Sequence, residues 1–183
     1  MKKILIIFGI LSLQFSYSQT INSSELLKEA YSYLSSGKYE KSIEVLKKAI
    51  KIDSLGNCGT GFDGVAQNEL GYSYIRIGKF DKARDYLDKS IELNPQYPKP
   101  RLNKTFSYLM EKDFTKATDV LDKFIEEIPG HPMAHWQKGN ILEAEGKVTE
   151  AILEYRKARA FNRKLNLLPK SIVDRIEEKL KNN

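Results

Sequence analysis

The sequence predicts an all-α protein built as a solenoid of stacked helix pairs. Three observations carry that prediction. The first is a repeat: Gly78-Lys79-Phe80-Asp81-Lys82-Ala83, Lys112-Asp113-Phe114-Thr115-Lys116-Ala117 and Gly146-Lys147-Val148-Thr149-Glu150-Ala151 follow one another at a spacing of 34 residues. An earlier copy, Gly37-Lys38-Tyr39-Glu40-Lys41-Ser42, starts 41 residues before Gly78, so seven extra residues lie between the first two copies. The second is periodicity. Leu70, Tyr74, Ile75 and Ile77 before Gly78, and Ala83, Leu87, Ile91 and Leu93 after it, follow the i, i+3, i+4 spacing of two consecutive helices. The third is the joint between them, where glycine permits a left-handed backbone after a helix end. The aromatic that follows (Tyr39, Phe80, Phe114) is placed to fill the space between the paired helices.

Each helix pair exposes an apolar face that it cannot bury alone, so at least about three must stack. Small residues at Gly71, Ala83 and Gly139 are expected to let neighbouring helices approach closely. Pro95 and Pro129 each follow a second helix, where proline ends it or opens the next connection. A stack also needs a solvated end. The stretch Pro169–Lys181 offers one, with Ile172, Val173, Ile176 and Leu180 in a single apolar stripe and charged residues elsewhere.

With these residues in place the sequence resembles the tetratricopeptide repeat, a 34-residue helix–turn–helix. The second copy carries the pattern best, in Leu70-Gly71, Tyr74, Gly78, Phe80, Ala83 and Pro95. The fourth offers Gly139, Gly146, Ala151, Tyr155 and Ala158, and the first Ala30, Tyr33, Gly37, Tyr39 and Ala49. The third is the most worn, with Thr105 at a small position, Lys112 for the turn glycine and Phe124 for an alanine. The resemblance implies a right-handed superhelical solenoid. On this reading residues 19–165 form the repeat domain, with repeats at about 23–56, 64–97, 98–131 and 132–165, an insertion at 57–63, and a capping helix within 166–183.

The first eighteen residues read as a secretory signal peptide: Lys2 and Lys3, an apolar run from Ile4 to Leu13, then Ser16-Tyr17-Ser18 before an expected cut ahead of Gln19. Ten apolar residues span about 15 Å as helix, roughly half of a bilayer core, which argues against an anchor. The protein is therefore expected to be exported, periplasmic or secreted, with no membrane span in the mature chain. Removing Lys2 and Lys3 lowers the net charge from +6 to +4, and charges of both signs alternate along the helices. Nucleic-acid binding calls for a concentrated basic stripe, which the sequence lacks. The single cysteine, Cys58, reads as a partly shielded loop thiol.

Signals for chemistry are weak. Gly59-Thr60-Gly61-Phe62-Asp63-Gly64 spells a dinucleotide fingerprint, but that motif needs a preceding strand, and here a helix precedes it. The expected reading is an inserted loop with Asp63 capping the next helix. His131 and His135 stand at i, i+4, a spacing used by zinc sites, yet Pro132 is expected to begin the helix and leave His131 in the turn. No third ligand is evident. Asp53-Ser54-Leu55 resembles a bacterial O-glycosylation acceptor, and helix termination explains it equally well. The sequence thus points away from an enzyme, a cofactor and a metal.

What the resemblance implies instead is a concave surface, lined by the first helix of each pair, that binds another protein or peptide segment. Matching positions give three rows: Leu27, Asn68, Leu102 and Trp136; Tyr31, Tyr72, Phe106 and Asn140; Leu34, Ile75, Leu109 and Glu143. Most are apolar or aromatic, as interaction hot spots are. The family's clamp for chaperone C-terminal carboxylates is absent. Its places hold Leu27, Tyr31, Glu69, Lys99 and Asn103, where only Lys99 fits, or one repeat later Asn68, Tyr72, Asn103, Met133 and Gln137, where only Asn103 fits. The function expected is a non-enzymatic scaffold or adaptor of the cell envelope. A self-associating structural component, a homo-oligomer, is the alternative.

Overall fold

The structure is a computed structural model and describes residues 22–181. The expected signal peptide and its cut lie outside the described residues. Within them the chain is all-α, with no strand. Helix α1 covers residues 22–35; α2 (Tyr39–Ile52), α3 (Val65–Arg76), α4 (Phe80–Leu93), α5 (Lys99–Met110), α6 (Phe114–Glu127), α7 (Pro132–Ala144), α8 (Val148–Leu165) and α9 (Lys170–Lys181) follow. The chain divides into two compact units, with the boundary between Asn103 and Lys104, inside α5. No helix among the described residues is long and apolar enough to cross a membrane.

In the first unit, α2 packs on α3 and α3 on α4. Leu46, Ala49, Leu70, Ala83 and Leu87 are fully buried between them. The helices meet closely because Gly71 has no side chain: a Cβ there would stand 2.6 Å from Leu87 Cγ and 3.1 Å from the Ala83 carbonyl oxygen. Tyr74 stacks on Tyr86 with ring centroids 5.6 Å apart. Because α3 is covered on nearly every side, its residues from Val65 to Gly71 are all buried, and periodicity is faint along it.

The second unit repeats the device. α7 and α8 form its main pair, α6 packs on α7, and α9 lies on α8. A Cβ on Gly139 would stand 2.4 Å from Tyr155 Cε1, so the glycine is what admits the tyrosine ring. Ile176 of α9 is fully buried, while Ile172, Val173 and Leu180 pack beside Trp136, Tyr155, Ala158 and Leu168. Arg175 places its guanidinium 5.2 Å from the Trp136 ring centre, and Arg159 bridges to Glu177 at 3.2 Å.

The turns follow the expected chemistry. Gly37, Gly78 and Gly146 have φ of 69°, 73° and 78°. The worn third joint keeps the same backbone without a glycine: Lys112 sits at φ 61°. Asp113, next to it, is the N-cap of α6 and accepts a hydrogen bond from the Lys116 amide at 3.0 Å. Pro132 opens α7, with His131 at the N-cap, as the sequence implies.

The insertion is an ordered loop. Cys58 N–H donates to Asp53 Oδ2 at 2.7 Å, Gly61 N–H to Asn57 Oδ1 at 3.0 Å, and Gly64 N–H to the Leu55 carbonyl at 2.7 Å. Its glycines Gly59, Gly61 and Gly64 all take positive φ, at 77°, 82° and 79°. A Cβ on Gly64 would stand 2.8 Å from the Ser90 carbonyl oxygen. One expectation needs correction: Asp63 does not cap α3. Its Oδ1 accepts from Asn57 Nδ2 at 3.2 Å, inside the loop, and the N-cap is Gly64, which has no side chain to offer. Cys58 is fully buried, more than expected, and burial pushes its thiol up to about 11.

Two substitutions test these constraints by denaturant midpoint. Gly139→Ala is expected to cost about 1–3 kcal/mol through overpacking against Tyr155. Lys112→Gly is expected to gain about 0.5–1 kcal/mol by relieving the left-handed backbone.

Candidate interaction surface

The eleven residues assigned to a binding surface divide in the structure. In the first unit Leu27, Asn68 and Ile75 are buried, Leu34, Tyr72 and Leu102 are half-buried, and Tyr31 is 40 % exposed. In the second, Phe106, Leu109 and Asn140 are half-buried, and Trp136 is only 4 % exposed. Four of the positions therefore offer little surface. Leu27 and Ile75 belong to the hydrophobic core. Trp136 lies 5.1 Å from the Tyr155 ring and beneath Arg175 of α9. Asn140 accepts a hydrogen bond from the Tyr155 hydroxyl at 3.0 Å, and Glu143, one turn further along the same helix, accepts from that hydroxyl and from Lys179. Of the eleven, Tyr31 alone is exposed, and Leu34, Tyr72, Leu102, Phe106, Leu109 and Asn140 keep part of their surface open.

Tyr72 is partly engaged already, since its hydroxyl accepts from Arg76 Nη1 at 2.8 Å. The Arg76 guanidinium also stands 4.6 Å from the Tyr39 ring centre. Asn68 has a fixed orientation. Its Oδ1 accepts from Asn103 Nδ2 at 2.9 Å, and its own Nδ2 donates to Glu69 Oε1 at 3.1 Å. Tyr31 adjoins the same carboxyl. Burial pushes its hydroxyl up to about 12, and the Glu69 charge adds to the rise. The structure thus gathers Tyr31, Asn68, Glu69 and Asn103 into one polar cluster with Tyr97 beside it.

Sequence reasoning passed over Glu69 and Tyr97 as parts of a site. A signal was present: in α3, Glu69 is the only charged residue before Arg76, on a helix otherwise uncharged. An isolated carboxylate in such a helix is either buried with partners or held for a ligand.

The histidines are engaged in hydrogen bonding and ring packing. No group of three or more His, Cys, Asp or Glu residues that could hold a metal ion occurs among the described residues. His135 is buried, with Nδ1 2.6 Å from Glu154 Oε2 and Nε2 2.9 Å from the Pro129 carbonyl. It links α7, α8 and the preceding turn, and stacks on Phe161 at 5.3 Å. Burial alone would raise the Glu154 carboxyl, but hydrogen bonds from His135 and Lys157 hold it down at about 2. His131 faces Phe124 at 5.0 Å, and burial lowers its basicity, with His135 contributing. The pairing of His135 with Glu154 spans 19 residues and two helices, which spacing along the chain does not reveal.

Two helical units, glycine-admitted close packing and a polar–aromatic cluster on first helices define a helical-repeat protein. Three sequence models described as tetratricopeptide repeat match residues 26–54, 65–97 and 109–164, together well over half of the chain. The chain belongs to the tetratricopeptide repeat family. No curated protein matches it. Among solved structures it is similar to MamA, at 26 % identity over 81 % of this chain and 82 % of that one, with a TM-score of 0.64. The MamA fragment from Desulfovibrio magneticus RS-1 shares the fold at 18 % identity and TM-score 0.60, covering 78 % of this chain and 76 % of that one. The second tetratricopeptide domain of human RPAP3, solved with an HSP70 peptide, shares it at 19 % identity and TM-score 0.55, covering 69 % of this chain and 97 % of that one.

Burial sorts the aromatic positions by what their removal reports. Trp136→Ala is expected to cost about 3–5 kcal/mol of stability, as a core truncation does, while Phe106→Ala costs less; thermal melts of both check this. Acid is expected to erode the Glu154 contribution. A carboxyl depressed from 4.5 to about 2 stabilises fully above the unfolded value and loses that contribution as pH falls from about 4.5 toward 2. The stability gap between wild type and Glu154→Gln, followed by urea titration, should narrow across that window.

Proposed function

We propose that this protein is a non-enzymatic scaffold of the cell envelope that binds a segment of another protein through the partly open aromatic and apolar side chains of its first helices. The observation that carries the reading is that Tyr31 is exposed and Tyr72, Leu102, Phe106 and Leu109 are only half-buried on the helices that the repeat pattern assigns to its inner surface. A repeat stack does not need large apolar side chains there to stand, because its core is already supplied by Leu46, Leu70, Leu87, Leu121, Phe124 and Tyr155. Apolar and aromatic side chains that form a contiguous patch commonly mark contact sites. The RPAP3 domain, solved with a peptide, supports the use of the fold for peptide recognition. The envelope setting rests on the basic, apolar and small-residue plan of residues 1–18.

Affinity capture from an envelope extract tests the reading, using the wild type and a Tyr72→Ala/Phe106→Ala variant whose fold is checked by circular dichroism. The variant is expected to lose at least one protein that the wild type retains. An identical captured set from a folded variant rejects the surface. Fractionation of the native cell, with the N-terminal residue of the purified protein determined by mass spectrometry, tests export: a chain starting at Gln19 is expected, and a retained Met1 rejects it.

A further inference from the structure

We propose that the first unit holds a subsite for a cationic side chain, arginine above all, of the bound segment, with the Glu69 carboxylate at its base. This rests on the interaction-surface reading and names the chemistry of its ligand. Glu69 is only 7 % exposed, on a helix buried almost all round. Its carboxylate receives a hydrogen bond from Asn68 Nδ2 at 3.1 Å and another from the Tyr31 hydroxyl. Asn103 holds the oxygen of Asn68 at 2.9 Å, so the Asn68 amide group is locked with its donor toward the carboxylate. A carboxylate has about four acceptor positions, so capacity is left over here.

No lysine or arginine among the described residues closes an ion pair on Glu69. Lys99 is exposed and acts on it only at longer range. Burial pushes the Glu69 carboxyl up, against the pull of Lys99 and of the Asn68 and Tyr31 hydrogen bonds, so a cation brought against it would favour the charged form and be held by it. The surroundings suit a guanidinium. Tyr31, 40 % exposed, and Tyr97, half-buried, lie beside the carboxyl, and burial holds both hydroxyls in the neutral form, so they add aromatic faces without adding charge. The planar fork of arginine also matches the two oxygens of a carboxylate better than an ammonium does. An anionic ligand would meet the Glu69 charge, with only Lys99 at the rim to oppose it.

The test is a titration of the full, isotope-labelled chain followed through the side-chain amide signals of Asn68 and Asn103. The probes are Nα-acetyl-arginine methylamide, its uncharged citrulline counterpart, and acetate. The arginine probe is expected to shift the Asn68 signal saturably. The citrulline probe should bind at least tenfold more weakly, and acetate should have no saturable effect. Glu69→Gln, which keeps size and an acceptor, should weaken the arginine probe at least tenfold, and Lys99→Ala should tighten it severalfold. Equal response to arginine and citrulline in the wild type, a saturable acetate shift, or an arginine response unchanged in Glu69→Gln overturns the proposal. The comparison of probes needs no variant, so a poorly folding Glu69→Gln does not decide it. The outcome is also separable from the wider surface. A null arginine titration alongside loss of capture by Tyr72→Ala/Phe106→Ala rejects the subsite and keeps the surface. The opposite pair rejects the surface and keeps the subsite.

Discussion

The close approach of paired helices is the constraint on which the rest of this structure depends. It is set where a side chain is missing. At Gly71 the space belongs to Leu87, and at Gly139 it belongs to the Tyr155 ring. Neither pair could seat its large partner with even one added methyl group at those distances. Once the helices are held that near, their outer residues are committed. Leu70, Leu87, Ile141 and Tyr155 go inward, and the faces turned away must carry whatever the protein uses to meet other molecules. The same tightness makes α3 a buried helix and so places Glu69 where a charge would not settle without local partners.

Polar groups inside this scaffold are handled in two contrasting ways. Around His135 they are saturated: Glu154, Lys157 and the Pro129 carbonyl close a network across two helices and a turn. Around Glu69 they form a chain from Asn103 to Asn68 to the carboxylate, which the Tyr31 hydroxyl also reaches and where acceptor capacity is left over. A closed network fixes geometry, and an open one leaves valence to spend on a ligand. Their difference separates the cluster that holds the second unit together from the cluster that meets solvent in the first.

The fold was legible in the sequence because repetition reports on backbone requirements directly. Glycine at 37, 78 and 146 marks a left-handed residue, and the same conformation at Lys112 could be inferred from its register alone. Pro132 located the start of α7 and kept His131 out of the helix. The candidate surface was only partly legible. A repeat position tells which way a side chain leaves its helix, not what stands in front of it. Trp136 stands in one of the expected rows and is covered by Arg175 from a helix some forty residues on. Asn68 shares a row with leucines, yet it is held by an amide 35 residues away. Asp63 had the right residue type for a cap and lost the role to Gly64, because the loop needed its carboxylate for Asn57. Such outcomes depend on contacts between distant residues, which a single sequence does not display.

The inserted loop before α3 has a consequence of a different kind. Most of its hydrogen bonds close within residues 53–64, through Asp53, Asn57 and Thr60, and it leaves Phe62 60 % exposed at its tip. A loop that carries its own internal framework is largely insulated from the register of the stack around it. Replacements at Phe62 change what the molecule displays without disturbing the helices on either side. The repeat architecture thereby gains one site at which novelty can accumulate over generations while the periodic parts stay constrained.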